Sequence, residues 1–447
     1  MKIIYTLFFL ASLIQGQTLQ NSVDDALSND PTILENLTTY KETLKDLDIS
    51  HTEYLPTIDF VSNIGYQRTG YENSHIIDQN AENRFYYENS LTLLWNIFDG
   101  FSTESKVNYQ RSKVIASAYN FVEKADSIAF DITKAHIQFM KHQELLITAK
   151  ENVQITEDIF KKINELYENG ITTKSEVRKI ESSLFLARSN FIVQKNNSMD
   201  AMFNYKKLSS KQLDFKNIEL PKIDVELPKS LIEATEYALK YNPTIMVSNY
   251  NIQAAKDLKK QKSKNFYPKI DFIFQQNIDK YDHYNDTQNN SAYNQERNRL
   301  RAGVTLSYNL YRGGADDLEV KKSQDTITRN IHVKVAQEKE IVEGLELSWA
   351  AYSMTKEQLV ELSKYQEYSK ETLSLYKEEY NLGRRSLLDL LSVQNDFINA
   401  KAQIIVTKYD NLFAKYRILD SMGLLVSSIM GDNYRNQVGL DRSKLTK

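Results

Sequence analysis

The feature that most limits what this chain can become is a stretch without helix breakers: from Gly100 to Gly170 there is no other glycine and no proline. A run of that length predicts a single helix on the order of 100 Å, at about 1.5 Å per residue, well beyond the usual globular helix. Its apolar positions step by four and three, through Ile128, Ile132, Ala135, Phe139, His142, Leu146, Ala149, Val153, Thr156, Phe160, Ile163 and Tyr167. That stepping is a heptad seam, which predicts a left-handed supercoil against a neighbouring helix. Apolar residues off the seam, Leu145, Ile155, Ile159 and Leu166, predict a second neighbour.

The same plan recurs. Asp30-Pro31-Thr32-Ile33 matches Asn242-Pro243-Thr244-Ile245, and Pro56-Thr57-Ile58-Asp59-Phe60 matches Pro268-Lys269-Ile270-Asp271-Phe272, both at an offset of 212. From Asn96 and Asn309 onward the offset is 213, and the seam reappears as Ile341, Leu345, Ser348, Tyr352, Thr355, Leu359, Leu362, Gln366, Ser369, Leu373, Tyr376 and Tyr380. The expected organisation is a first repeat over 17–208, a linker over 209–229 containing Pro221 and Pro228, a second repeat over 230–425 and a polar tail over 426–447. Each repeat opens with a capping signal, Ser22 with Asp25 and Ser230 with Glu233. Asp30 and Asn242 are placed to cap the next helix, with proline at its first position. Each long helix ends at a glycine, Gly170 in YENGITTKSE and Gly383 in YNLGRRSLLD, which marks a sharp turn into a returning helix.

After Pro56 and Pro268 the period changes to two. Ile58, Phe60, Ile64 and Tyr66 oppose Asp59, Asn63 and Gln67, and Ile270, Phe272 and Phe274 oppose Asp271, Gln275 and Asn277. The partner runs alternate likewise: Leu91, Leu93, Trp95 and Ile97 against Ser90, Thr92 and Asn96, and Ala302, Val304, Leu306, Tyr308 and Leu310 against Arg301, Thr305, Ser307 and Asn309. Strands of about ten to twelve residues suit a tilted membrane strand. The joining segments near 70–84 and 281–298 are polar, as exposed loops are.

The chain begins MKIIYTLFFLASLIQG, with Lys2 ahead of an apolar run from Ile3 to Ile14, and this reads as a signal peptide over 1–16. No other run is apolar enough for a spanning helix. Cysteine is absent, so a lipid-bearing N-terminal cysteine cannot anchor the chain and only strands could hold it in a membrane. A net charge of -3 offers no basic footprint for nucleic acid. There is no phosphate loop, nucleophile elbow or zinc-binding H-E-x-x-H, and the six histidines are scattered. No catalytic site, cofactor or metal is expected, the chain does not read as an enzyme, and energy for any transport must come from a partner.

Four strands cannot close a barrel, and lipid does not tolerate open strand edges. Several chains must therefore share a barrel if these strands lie in a membrane, and only twelve strands from three chains, not eight from two, leave a wide passage. The rival reading is a periplasmic or surface coiled-coil interaction protein whose hairpins are soluble.

Alternating strands, a Phe98-Asp99-Gly100 or Arg312-Gly313-Gly314 start, an unbroken helix, a Tyr-x-x-Gly turn and a returning helix, all duplicated, resemble the TolC family of outer-membrane efflux proteins over about residues 20–425. The resemblance implies a mainly α homotrimer, with a coiled-coil helical barrel in the periplasm continuous with a twelve-stranded β-barrel in outer-membrane lipid. It implies export by efflux or type I secretion, through a periplasmic membrane-fusion adaptor protein joined to an inner-membrane transporter. By the same resemblance Tyr380, Arg385 and Glu176 hold the periplasmic end closed, and Asp389 forms an acidic ring there. A second acid of the family pattern is missing, because Ser392 stands in its place. Asn169, Gly170, Leu382 and Gly383 at the turns are the expected adaptor contacts.

Overall fold

The computed structural model describes residues 18–69, 82–209, 218–221, 226–283 and 295–431. The signal sequence expected at 1–16 lies outside the described residues, as do most of the two expected outer loops and the chain beyond 431. The elements run α1 (Leu19–Asn29), α2 (Pro31–Thr52), β1 (Thr57–Thr69), β2 (Glu82–Phe98), α3 (Ser102–Glu168) and α4 (Lys174–Leu208). They continue as α5 (Leu231–Tyr241), α6 (Pro243–Lys262), a 3-10 turn at Ser263–Phe266, β3 (Lys269–His283), β4 (Gln295–Ser307), α7 (Ala315–Asn381), α8 (Leu387–Ser421) and α9 (Leu425–Met430). Helices α3 and α7 each hold 67 residues, and α4 and α8 each hold 35. Two compact units result: residues up to Thr38 with Ala118–Val247 and those from Val335, and Thr39–Ser117 with Ser248–Lys334.

In the first unit the short helices are set by their caps. Asp30 Oδ1 accepts the Thr32 amide at 2.7 Å and Asn242 Oδ1 accepts the Thr244 amide at 2.9 Å, with Pro31 and Pro243 at the first helical positions. Ser230 caps α5, taking the Glu233 amide at 3.2 Å, while the Glu233 carboxylate reaches the Lys229 amide at 3.0 Å rather than that of Ser230. The expected cap at Ser22 is corrected: α1 starts earlier, at Thr18, whose hydroxyl accepts the Asn21 amide. Ser22 lies inside the helix, fully buried, with its Oγ 2.7 Å from the Tyr205 hydroxyl of α4.

That hydroxyl lies 2.8 Å from His136 Nδ1 on α3, and His136 Nε2 lies 2.9 Å from the Glu219 carbonyl. A carbonyl only accepts, so Nε2 carries the proton, Nδ1 accepts from Tyr205, and Ser22 is left to donate to Tyr205. Complete burial pushes the His136 pKa down to about 4, keeping the imidazole neutral. One histidine thus joins α1, α3, α4 and the segment between the repeats.

The heptad seam is the inward face of α7, where every position from Ile341 to Tyr380 is buried or half-buried. On α3 the seam residues Ile132, Ala135, Phe139 and Ile163 are buried, but so are Ala129, Thr133, His136 and Ile137, and Tyr167 is exposed. The cause is that α3 has two neighbours. Gln143 of α3, off the seam, donates to Ser198 of α4 at 2.9 Å, while Gln394 of α8 donates to Thr156 and Asn152 of α3. Asn411 of α8 donates to the Tyr352 carbonyl of α7 at 2.9 Å. These pairs link α4 to α3, α3 to α8 and α8 to α7.

Helix α9 packs Leu425 and Val426 into the core, and the Val426 amide donates to Asp126 Oδ1 at 3.0 Å. Beside it, burial together with the negative charges of Asp126, Asp131 and Glu123 pushes the Asp420 carboxyl up to about 7, against a smaller opposing pull from Arg417.

In the second unit the strands form one antiparallel sheet in the order β1-β2-β3-β4. They are 13, 17, 15 and 13 residues long, longer than expected, because backbone pairing continues past the apolar stretches. The register puts Ile58 opposite Leu93, Leu93 opposite Phe274, and Phe274 opposite Ala302. On the other face Asn63, Glu88, Asp279 and Arg297 stand in one row. Directly opposed residues share a face, so the sheet has one apolar and one polar side. A bulge between Asn96 and Phe98 makes Phe98, not Ile97, the partner of Ile270. Tyr308 and Leu310, expected to extend β4, lie beyond its end at Ser307 and are exposed. Gly100 at φ 66° turns the chain from β2 into α3 where a Cβ would lie 2.6 Å from the Lys264 carbonyl, and Asp99 caps α3 through the Ser102 and Thr103 amides.

The sign of the Asp420 effect follows from linkage. Its folded pKa near 7 exceeds the ordinary 3.8, so its contribution to stability is full below about pH 4 and is lost as pH rises through 7. Asp420→Asn is expected to melt at a higher temperature than the parent at pH 8, with the gap narrowing below pH 7 and closing only as pH falls to about 4. Equal melting temperatures at pH 8 would refute the assignment.

Candidate functional site at the helical turns

Both turns are built by the same backbone device. Beyond α3 the Ile171 amide donates to the Leu166 carbonyl at 2.8 Å and the Gly170 amide to the Tyr167 carbonyl at 2.9 Å. Beyond α7 the Arg384 amide donates to the Glu379 carbonyl at 2.9 Å and the Gly383 amide to the Tyr380 carbonyl at 3.0 Å. This paired bonding satisfies the last helical carbonyls and needs a left-handed residue, which Gly170 at φ 72° and Gly383 at φ 70° supply. Open space surrounds both glycines, so backbone conformation alone demands them.

The returning helices start with side-chain caps: Thr173 accepts the Glu176 amide, and Ser386 accepts the Asp389 amide at 3.2 Å. At α8 the exchange is reciprocal, since Asp389 Oδ2 takes the Ser386 hydroxyl at 2.8 Å and the Ser386 amide at 3.3 Å. Those two bonds, with a smaller pull from Arg385, hold the Asp389 carboxyl below the usual carboxylate range. Glu176 occupies the equivalent position of α4 but makes no such return, because its carboxylate accepts from the Thr172 hydroxyl.

Beneath the turns lies an apolar plug of Ile159, Ile163, Ile180, Leu387, Leu390 and Leu391. Tyr380 and Tyr376 pack on its edge. Burial first, and the negative charge of Glu176 second, push the Tyr380 hydroxyl up. Arg385 is not brought onto Glu176 within the chain. Its Nε donates to Glu379 Oε2 at 2.7 Å and its guanidinium lies 4.2 Å over the Tyr376 ring.

The expected adaptor contacts sit at the tips. Leu382 is 69% exposed, and two apolar neighbours that were not singled out from sequence share that character, Ile171 at 71% and Leu388 at 62%. Thr172, Tyr376 and Glu379 were also missed as partners of the gate residues. Thr172 lies outside α4, ahead of its Thr173 cap, and Glu379 and Arg385 meet across the second turn, so helical periodicity reaches neither pair.

The profile described as Outer membrane efflux protein matches residues 22–202 and 235–424. The outer membrane efflux protein BepC of Brucella suis is 20% identical over 336 residues, covering 75% of this chain and 72% of that protein. The outer membrane protein TolC of Escherichia coli is 17% identical over 423 residues, covering 93% of this chain and 84% of that protein. The crystal structure of the CmeC outer membrane channel of Campylobacter jejuni superposes with a TM-score of 0.77 at 16% identity, covering 96% of this chain and 89% of that one.

The cap at Ser386 can be tested on its own. Ser386→Ala leaves the Asp389 amide unpaired and should destabilise the start of α8 by about 0.5–2 kcal/mol. Amide hydrogen exchange at Leu387–Leu390 should quicken, and unchanged exchange there would show that the cap is not formed.

Proposed function

The chain belongs to the Outer membrane efflux protein family, and from that premise we propose that three copies close into a channel-tunnel carrying cargo from an inner-membrane transporter, through a periplasmic adaptor, to the exterior. It is an outer-membrane protein with its helical part in the periplasm. The observation that carries the trimeric reading is the sheet. Its apolar side is turned to the surroundings, with Phe60, Ile64 and Val304 at 68%, 71% and 63% exposure. Its two edge strands, β1 and β4, each pair on one side only among the described residues. An apolar face of this extent suits lipid, and lipid requires both edges to be paired.

A second observation supports closure by copies of the same chain. On α4, Phe185, Ile192, Met199 and Phe203 are exposed, and on α7 so are Leu347, Met354, Tyr368 and Leu375, each set at heptad-like spacing. Both helices are the outer members of the series α4, α3, α8, α7. An apolar stripe on each outer helix fits a head-to-tail interface, the kind that closes into a ring.

The gate reading rests on Tyr380 packing against the apolar plug under the turns, where the Glu176 charge acts on it, with Arg385 and Asp389 at the second turn. An exposed ion pair contributes little singly; repeated around a ring and partly desolvated it becomes a lock. Asp389 would line the constriction as a single acidic ring. Since Ser392 replaces a second acid, block by multivalent cations would be weak. The exposed tips around Gly170 and Gly383 are the surface offered to an adaptor hairpin.

Two outcomes are expected. In planar bilayers, the double change Arg385→Ser with Tyr380→Phe should raise single-channel conductance, and an unchanged value would remove the lock. Gly383→Trp should abolish cross-linking to the adaptor and export together, and retention of both would exclude these tips as the docking surface.

A further inference from the structure

Arg385 has three candidate carboxylate partners around the two turns, and the one it holds in the single chain is its own neighbour. Nε donates to Glu379 Oε2 at 2.7 Å, and the guanidinium stacks 4.2 Å over Tyr376. Glu176, on the other turn, is held by the Thr172 hydroxyl. Asp389 is occupied by Ser386 and acts on Arg385 only as a nearby charge. We propose that Glu379 and Tyr376 form a holding site that keeps Arg385 off the Glu176 of an adjacent copy, so that Glu379 is a positioning residue that biases the entrance toward opening.

The argument is competitive binding of one cation. Arg385 and Glu379 side chains are 38% and 43% exposed, so water screens their attraction, and a pair of this kind shifts populations by no more than about fivefold. An ion pair to Glu176 of a neighbouring copy would be similarly screened before closure. Neither carboxylate therefore captures Arg385 outright. The planar guanidinium adds a second hold, because its face is on Tyr376 while its edge is on Glu379. The Tyr376 ring is itself anchored against the apolar plug under the turns, which makes it a fixed platform. Release requires both contacts to break, and re-forming them on one copy weakens the lock of the whole ring. Glu379 thus sets how readily the closed state gives way when an adaptor engages the tips.

This rests on Arg385 acting as a lock, so the test separates the two ideas. Wild type, Glu379→Gln, Arg385→Ser and the double variant, each as the full chain, are compared by conductance in planar bilayers. Glu379→Gln keeps the side chain's size at a half-buried position. It is expected to lower open-state occupancy a few-fold when Arg385 is present and to have no effect in the Arg385→Ser background, with Glu379→Asp restoring part of the loss. If Arg385→Ser raises conductance but Glu379→Gln matches wild type, the lock stands and the holding site is wrong. An unchanged Arg385→Ser channel overturns the lock and the holding site with it, and a Glu379→Gln effect that persists without Arg385 overturns the competition.

Discussion

A β-strand at the edge of a sheet carries a row of backbone N–H and C=O groups that water can satisfy and hydrocarbon cannot. In this chain that requirement falls on β1 and β4, which bound a four-stranded sheet with one apolar and one polar face. Each unsatisfied group in lipid costs several kcal/mol, and a 13-residue edge presents many of them. Exposed ion pairs, at about 0–1 kcal/mol each, do not compete with a term of that size. The sheet therefore dictates that the functional object is larger than one chain, and the rival of soluble hairpins falls with membership of an outer-membrane family. The helices answer the same demand in water, where the apolar stripes of α4 and α7 need partners for hydrophobic rather than hydrogen-bonding reasons.

Much of this was legible in the sequence because glycine and proline are so sparse. Gly170 and Gly383 mark the ends of α3 and α7, and Pro31 and Pro243 open α2 and α6, since each of those positions has a single-residue backbone cause. The alternation gave the two faces of the sheet but not its length, because pairing depends on the partner's backbone and not on side-chain polarity. Ser22 was misread as a cap for a related reason. Thr18 offers the same local chemistry one turn earlier, and what decides between them is Tyr205, 183 residues away. The α7 seam could be read directly because one face of that helix is buried. On α3 burial on two sides blurred it.

The candidate site was half visible. Its residues were identifiable from the turn pattern, and Tyr380 packs on the apolar plug beneath the turns. The partner of Arg385 was not, because Glu379 reaches it across a glycine turn where helical spacing has no meaning. Elsewhere, buried ionisable groups pull in opposite directions. His136 is held neutral and favours the fold less as pH falls through about 4, whereas Asp420 favours it less as pH rises through about 7. Both sit where several helices meet, away from the turns, so the stability of the helical region and the state of the entrance respond to different groups.

The account's central claim is that the sheet's free edges and the outer helical stripes are completed by copies of the same chain. Native mass spectrometry of the full-length protein, extracted from outer membranes in mild detergent, tests it most directly. The account predicts a complex of three chains that survives until the detergent is removed or the sample is heated. A folded, membrane-extracted single chain as the main species would contradict it.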